Sequence, residues 1–126
     1  MDGEVLQTTA MQVASALPDV THTQPFGPGH EVFKVAGKMF MMTTAAPGEK
    51  IVTLKCDPDR ALMLRDIYES ISPGYHMNKR HWISIGAHGA ITRDLIEDLV
   101  KDAYGLIIGR LPRARRPNGC IRDESR

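Results

Sequence analysis

Glu31-Val32-Phe33-Lys34-Val35-Ala36-Gly37-Lys38-Met39-Phe40-Met41-Met42-Thr43 is the stretch that decides the fold. Apolar residues recur with a period of two on both sides of Ala36-Gly37, and Gly37 supplies the positive φ that a tight hairpin turn needs. Ala45-Ala46-Pro47-Gly48-Glu49 makes the next turn, and Lys50 to Cys56 adds a third strand carrying Ile51, Val52 and Leu54. Three consecutive strands with short connections predict an antiparallel meander, which can leave one face to solvent. Strict alternation would put Met39 and Met41 on one face and Phe40 and Met42 on the other, making both faces of that strand apolar.

Helical spacing frames the meander. Upstream, Val5, Leu6, Ala10, Val13, Ala16 and Leu17 predict a helix from residue 3 to about 17, stopped by Pro18. Residues 19–30, with Pro25, Gly27, Pro28 and Gly29, read as a loop. Downstream, Asp57-Pro58 is a helix start, Asp as cap and Pro at the first helical position. That helix is expected to reach about Ser70 and to bury Ala61, Leu64, Ile67 and Tyr68. A strand from about His81 to Ile85 follows. Thr92 then caps a last helix with Leu95, Ile96, Leu99, Val100, Ala103, Leu106 and Ile107 on one side, closed by Pro112. Grouped strands flanked by helices imply a two-layer α+β domain, an antiparallel sheet with helices on one face.

Composition narrows the class. A chain of 126 residues suits one domain, and 42% hydrophobic with 25% charged residues is ordinary for a soluble globular protein. Two cysteines, Cys56 and Cys120, without CxxC spacing argue against a disulfide framework or zinc. No basic segment precedes an apolar run at the start and no apolar run is long enough to span a bilayer, so the expected setting is the cytoplasm, with no membrane. The net charge of +1 conceals an asymmetry. From Arg110 onward six arginines face two acids, whereas the rest of the chain has ten basic and thirteen acidic side chains. Residues 1–111 are therefore the expected domain, and 112–126 a basic tail without hydrophobic period, expected to lack order.

Pro25-Phe26-Gly27 ahead of Phe33 to Phe40, then Leu54-Lys55-Cys56-Asp57-Pro58, then Pro73-Gly74-Tyr75-His76-Met77-Asn78-Lys79-Arg80-His81-Trp82, resemble the MmcQ/YjbR family. Ile91 to Tyr104 resembles that family's final helix, and the likeness runs from about Leu6 to Leu111. It implies an α-β(3)-α-β(2)-α domain, similar to frataxin/CyaY-like and secretion-chaperone-like architectures. It also implies DNA binding, an inference the family carries from shape and basic loops. The arginine tail lies outside the family pattern.

The residues themselves offer several chemistries. Lys79-Arg80-His81-Trp82 sets two cations beside an aromatic, suited to phosphate contact with stacking on a base; equally, Trp82 can be a core anchor and the cations solvated. Lys34 and Lys38 on the hairpin, Asn78 before the basic pair, and Arg113, Arg115 and Arg116 in the tail complete the candidate nucleic-acid contacts. The five histidines, His22, His30, His76, His81 and His88, show no metal-ligand spacing, so no metal or other cofactor is expected. No nucleophile elbow or phosphate-cradling loop occurs, which points to a binding module rather than an enzyme. A protein-interaction or chaperone-like domain using the Met-rich sheet face, with a protein partner or second copy, is the alternative. A small-ligand domain with a pocket at His76, His81 and Trp82 is a third.

Overall fold

The computed structural model describes residues 1–117. Helix α1 (Gly3–Ser15) is followed by strands β1 (Thr21–Thr23), β2 (Glu31–Val35), β3 (Lys38–Thr44) and β4 (Ile51–Lys55). Helix α2 (Pro58–Ile67), strands β5 (Ile71–Pro73) and β6 (Trp82–Ile85), helix α3 (Arg93–Ile108) and a short 3-10 turn (Arg113–Arg115) complete it. The six strands form one sheet in the order β1-β2-β3-β4-β6-β5, and each neighbouring pair is antiparallel. The expected two-layer α+β architecture is present. Phe33, Met41, Val52, Leu54, Ile83 and Ile85 turn one sheet face into the core, where α3 supplies Ile96, Leu99, Val100 and Ala103, and α1 supplies Leu6, Ala10 and Ala14.

The helix ends follow their sequence signals. Asp2 caps α1 by accepting from Val5 N, Asp57 caps α2 by accepting from Asp59 N and Arg60 N, and Thr92 caps α3 by accepting from Leu95 N. Each removes an orphan donor of a first turn.

Three expectations need correction. Residues 21–23 are not loop but an edge strand, with Thr21 opposite Lys34 and Thr23 opposite Val32; three exposed residues carry no alternation to read. Strict alternation fails in β3. Its register against β2 slips between Phe33 and Lys34, so Met41 faces Phe33 and Met39 faces Lys34, with Phe40 as the extra residue. A bulge brings two successive side chains toward one side, and Phe40 joins Met41 in the core, its ring edge-on to Tyr104 at 5.7 Å. Met39 and Met42 are left half-buried. Helix α2 ends at Ile67, not Ser70, and Ile67 is 61% exposed rather than buried; it sits about 60° around the helix from Leu64, off the Ala61–Leu64–Tyr68 stripe. Beyond α3, residues 112–117 carry the 3-10 turn. Pro117 is buried, and Arg116 Nε donates to the Leu111 carbonyl at 3.1 Å. The expectations for 118–126, including Cys120, Arg122 and Arg126, lie outside the described residues.

Candidate nucleic-acid interface

The segment from Gly74 to His81 is a compact turn between β5 and β6. Gly74 N donates to the Trp82 carbonyl, Met77 N to the Gly74 carbonyl and His81 N to the Asn78 carbonyl. A Cβ at Gly74 would lie 2.5 Å from the Trp82 Cβ, so this position admits only glycine. Asn78 Oδ1 accepts from Arg80 N at 2.8 Å, an Asx turn that fixes the backbone of the basic pair. Arg65 of α2 donates Nη1 to the Lys79 carbonyl at 3.1 Å, tying the turn to that helix.

Lys79 and Arg80 are exposed, His81 is half-buried and Trp82 is 9% exposed. That burial decides Trp82: it anchors the fold, and its ring is not free to stack on a base. The Lys55 ammonium stands 5.4 Å from the Trp82 ring centroid, a cation–π contact on the opposed residue of β4. Burial, and secondarily the Arg110 charge, hold the Lys55 pKa below the usual lysine range. His76 is exposed, with its ring against Tyr75 at 4.1 Å.

Strand register places the hairpin relative to this turn. Met41 is opposite Leu54, and Lys55 is opposite Trp82, so the start of β3, the end of β4 and the start of β6 lie at one end of the sheet. The Ala36-Gly37 hairpin and the Asn78-Lys79-Arg80 turn therefore project from the same rim, their nearer strands β3 and β6 two strand spacings or about 10 Å apart sideways. Lys34 and Lys38 are exposed on that hairpin. Asp57 and Asp59 begin α2 at the same end, the Asp57 carboxylate being engaged by backbone N–H groups. A depression of about 160 Å³ lies beside the basic turn, lined by Pro58, Asp59, Leu62, Arg65, Lys79 and Arg80.

The arginines of the tail separate. Arg113 and Arg115 are exposed on the 3-10 turn, whereas Arg116 is half-buried with its Nε committed to Leu111. Arg65 and Lys55 escape a sequence reading. A basic residue in a helix's last turn reads as a dipole partner, and only the folded chain brings Arg65 to Lys79. Among the described residues no three His, Cys, Asp or Glu side chains group as a metal would require, and no helix is long and apolar enough to cross a membrane.

Fold and rim together define a small α+β domain that presents paired cationic loops at one end of its sheet. The YjbR family model matches residues 15–106, and the chain belongs to that family. It is 42% identical over 122 residues to the uncharacterized protein YbdF of Escherichia coli O157:H7, covering 97% of this chain and 98% of that one. It is 30% identical over 83 residues to the uncharacterized protein YjbR of Escherichia coli strain K12, covering 66% and 70%. Among solved structures it is similar to a Deinococcus radiodurans protein of the DUF419 domain, with a TM-score of 0.74, 28% identity and coverage of 89% and 91%. A Pseudomonas syringae protein gives a TM-score of 0.68 at 25% identity, covering 79% and 97%.

Proposed function

We propose that this domain is a cytoplasmic binding module, not a catalyst, that grips the phosphate backbone of nucleic acid with the cationic rim. The observation that carries this reading is the strand register, which sets Lys34 and Lys38 on the same end of the sheet as Asn78, Lys79 and Arg80. Exposed cations on two projecting loops are suited to backbone contacts, which position a protein without reading sequence. Arg113 and Arg115 would add nonspecific attraction.

Such binding releases counterions. With four cations engaged, log K against log salt should have a slope of about −3.6 on duplex DNA. Anisotropy titrations of labelled duplex and single-stranded DNA at several salt concentrations measure this. Lys79→Ala/Arg80→Ala should flatten the slope by about 2. Absence of binding at low salt, or an unchanged slope in the double variant, would overturn the assignment.

A protein contact is the second reading, and a specific observation favours it. Leu62, Met63 and Ile67 are 59%, 53% and 61% exposed on α2. Clustered apolar exposure of this kind marks partner surfaces. Sedimentation of the wild type against Leu62→Gln/Met63→Gln/Ile67→Gln tests it for a second copy of the chain: concentration-dependent association lost in the triple variant supports it.

A further inference from the structure

The turn between β5 and β6 carries an aromatic pair ahead of its two cations. Met77 N donates to the Gly74 carbonyl, closing a four-residue turn whose third residue is His76. His76 has φ 57°, while the φ of Tyr75 before it is not positive. That pattern selects glycine or asparagine at the third position. Glycine takes it freely, whereas a histidine there is strained.

Nothing in the fold calls for that imidazole. It is exposed, and among the described residues it has no hydrogen bond and no ion pair. Its ring meets Tyr75, with 4.1 Å between centroids and 70° between planes. Tyr75 is half-buried and anchored through its backbone, where N donates to the buried Ser84 Oγ at 2.9 Å. An exposed ring is thus steadied by an anchored neighbour, on backbone better suited to glycine. Strain kept at such a position points to a contact made outside the chain.

The rest of the turn indicates what that contact is. Lys79 follows three residues after His76, no more than about 11 Å away along the chain, and Arg80 is next to it. Both are exposed, and their backbone is held by Asn78 and Arg65. In the depression beside them Arg65, Lys79 and Arg80 outnumber Asp59. An aromatic face close to paired cations suits a strand whose phosphates meet the cations and whose base lies on the ring. Bases inside a duplex are stacked on their neighbours, whereas an unpaired base has a free face.

We propose that this turn recognises single-stranded nucleic acid, one unpaired base stacking on His76 beside the phosphates held by Lys79 and Arg80. The inference rests on the phosphate-gripping rim and adds the class of strand that the rim selects.

Anisotropy titrations of the full chain test it with three labelled probes of equal length: single-stranded DNA, duplex DNA and an abasic deoxyribose-phosphate strand. His76→Gly should weaken binding of the single strand about 10-fold, the scale of one stacked base. The same variant should leave duplex and abasic affinities and all salt slopes unchanged. It should also melt at an unchanged or higher temperature, because glycine relieves the turn; a merely structural histidine would not combine lost affinity with retained stability. An unchanged single-strand affinity in His76→Gly, or an equal loss on all three probes, would overturn the proposal. If Lys79→Ala/Arg80→Ala still flattens the salt slope in that case, the rim stands and only the stacking falls. If no probe binds at low salt, both fall.

Discussion

Ala36 shows what one residue's backbone can cost. It has φ 52° and its neighbour Gly37 φ 77°, the paired left-handed conformation of a two-residue hairpin turn. Glycine takes that conformation freely, but an alanine there costs roughly 1–2 kcal/mol. Asparagine tolerates it, and Asn-Gly is the favoured pair for this turn. Ala36→Asn should therefore stabilise the fold by about 0.5–1 kcal/mol, read as a raised urea midpoint with unchanged slope; a lowered midpoint would contradict the turn geometry. Ser84 makes the opposite case. Its Oγ lies 2.8 Å from Thr53 Oγ1 and accepts from Tyr75 N at 2.9 Å, with Thr53 wholly buried. Ser84→Ala orphans both partners and should cost about 2 kcal/mol or more by urea denaturation. Adding Thr53→Val removes one orphan, so the double variant should lose less than the sum of the singles. Gly37 was legible in the sequence because glycine advertises positive φ. Ala36, Ser84 and the bulge at Phe40 were not, since each depends on what lies across the strand.

At the scale of elements, length and exposure decided what could be read. The meander and α3 carry long, half-buried periodic patterns, and they fold where those patterns lie. Strand β1 has three exposed residues, and nothing in Thr-His-Thr distinguishes an edge strand from a loop. What holds it is tertiary. His22 stacks on Phe33 at 4.3 Å, and its Nε2 and the Gln24 amide both meet the Glu31 carboxylate. These hydrogen bonds, His22 first, keep the Glu31 pKa below the usual glutamate range despite the opposing effect of burial. A depressed folded-state pKa gives stability that is complete above the unfolded value of about 4.3 and is lost as pH falls through the folded value. The stability difference between the wild type and Glu31→Gln should therefore shrink steadily as pH falls below about 4. A difference independent of pH down to about 3 would remove the carboxylate from the account of how β1 is held.

For the whole molecule the question is whether net charge or its arrangement governs binding. The candidate cations Lys34, Lys38, Lys79 and Arg80 were nameable from the sequence one by one. That they share an end was not, because it follows from β6 inserting between β4 and β5, a strand order no local pattern encodes. The other end of the sheet differs in charge. There the start of α1 meets the turn before β4, where Glu4, Glu49, Lys50 and His88 surround a shallow hollow, and His88 pairs with Glu69 at 3.8 Å. Lys50 and Lys34 are both exposed, each contributes one positive charge, and they sit at opposite ends. If nucleic acid lies on the rim, Lys34→Ala should flatten the salt slope of DNA binding by about 1, and Lys50→Ala should leave the slope unchanged. If net charge alone attracts the polyanion, the two variants lose affinity equally. Measured side by side, the pair distinguishes an oriented interface from a diffuse attraction, and equal effects would remove the rim from the proposed function.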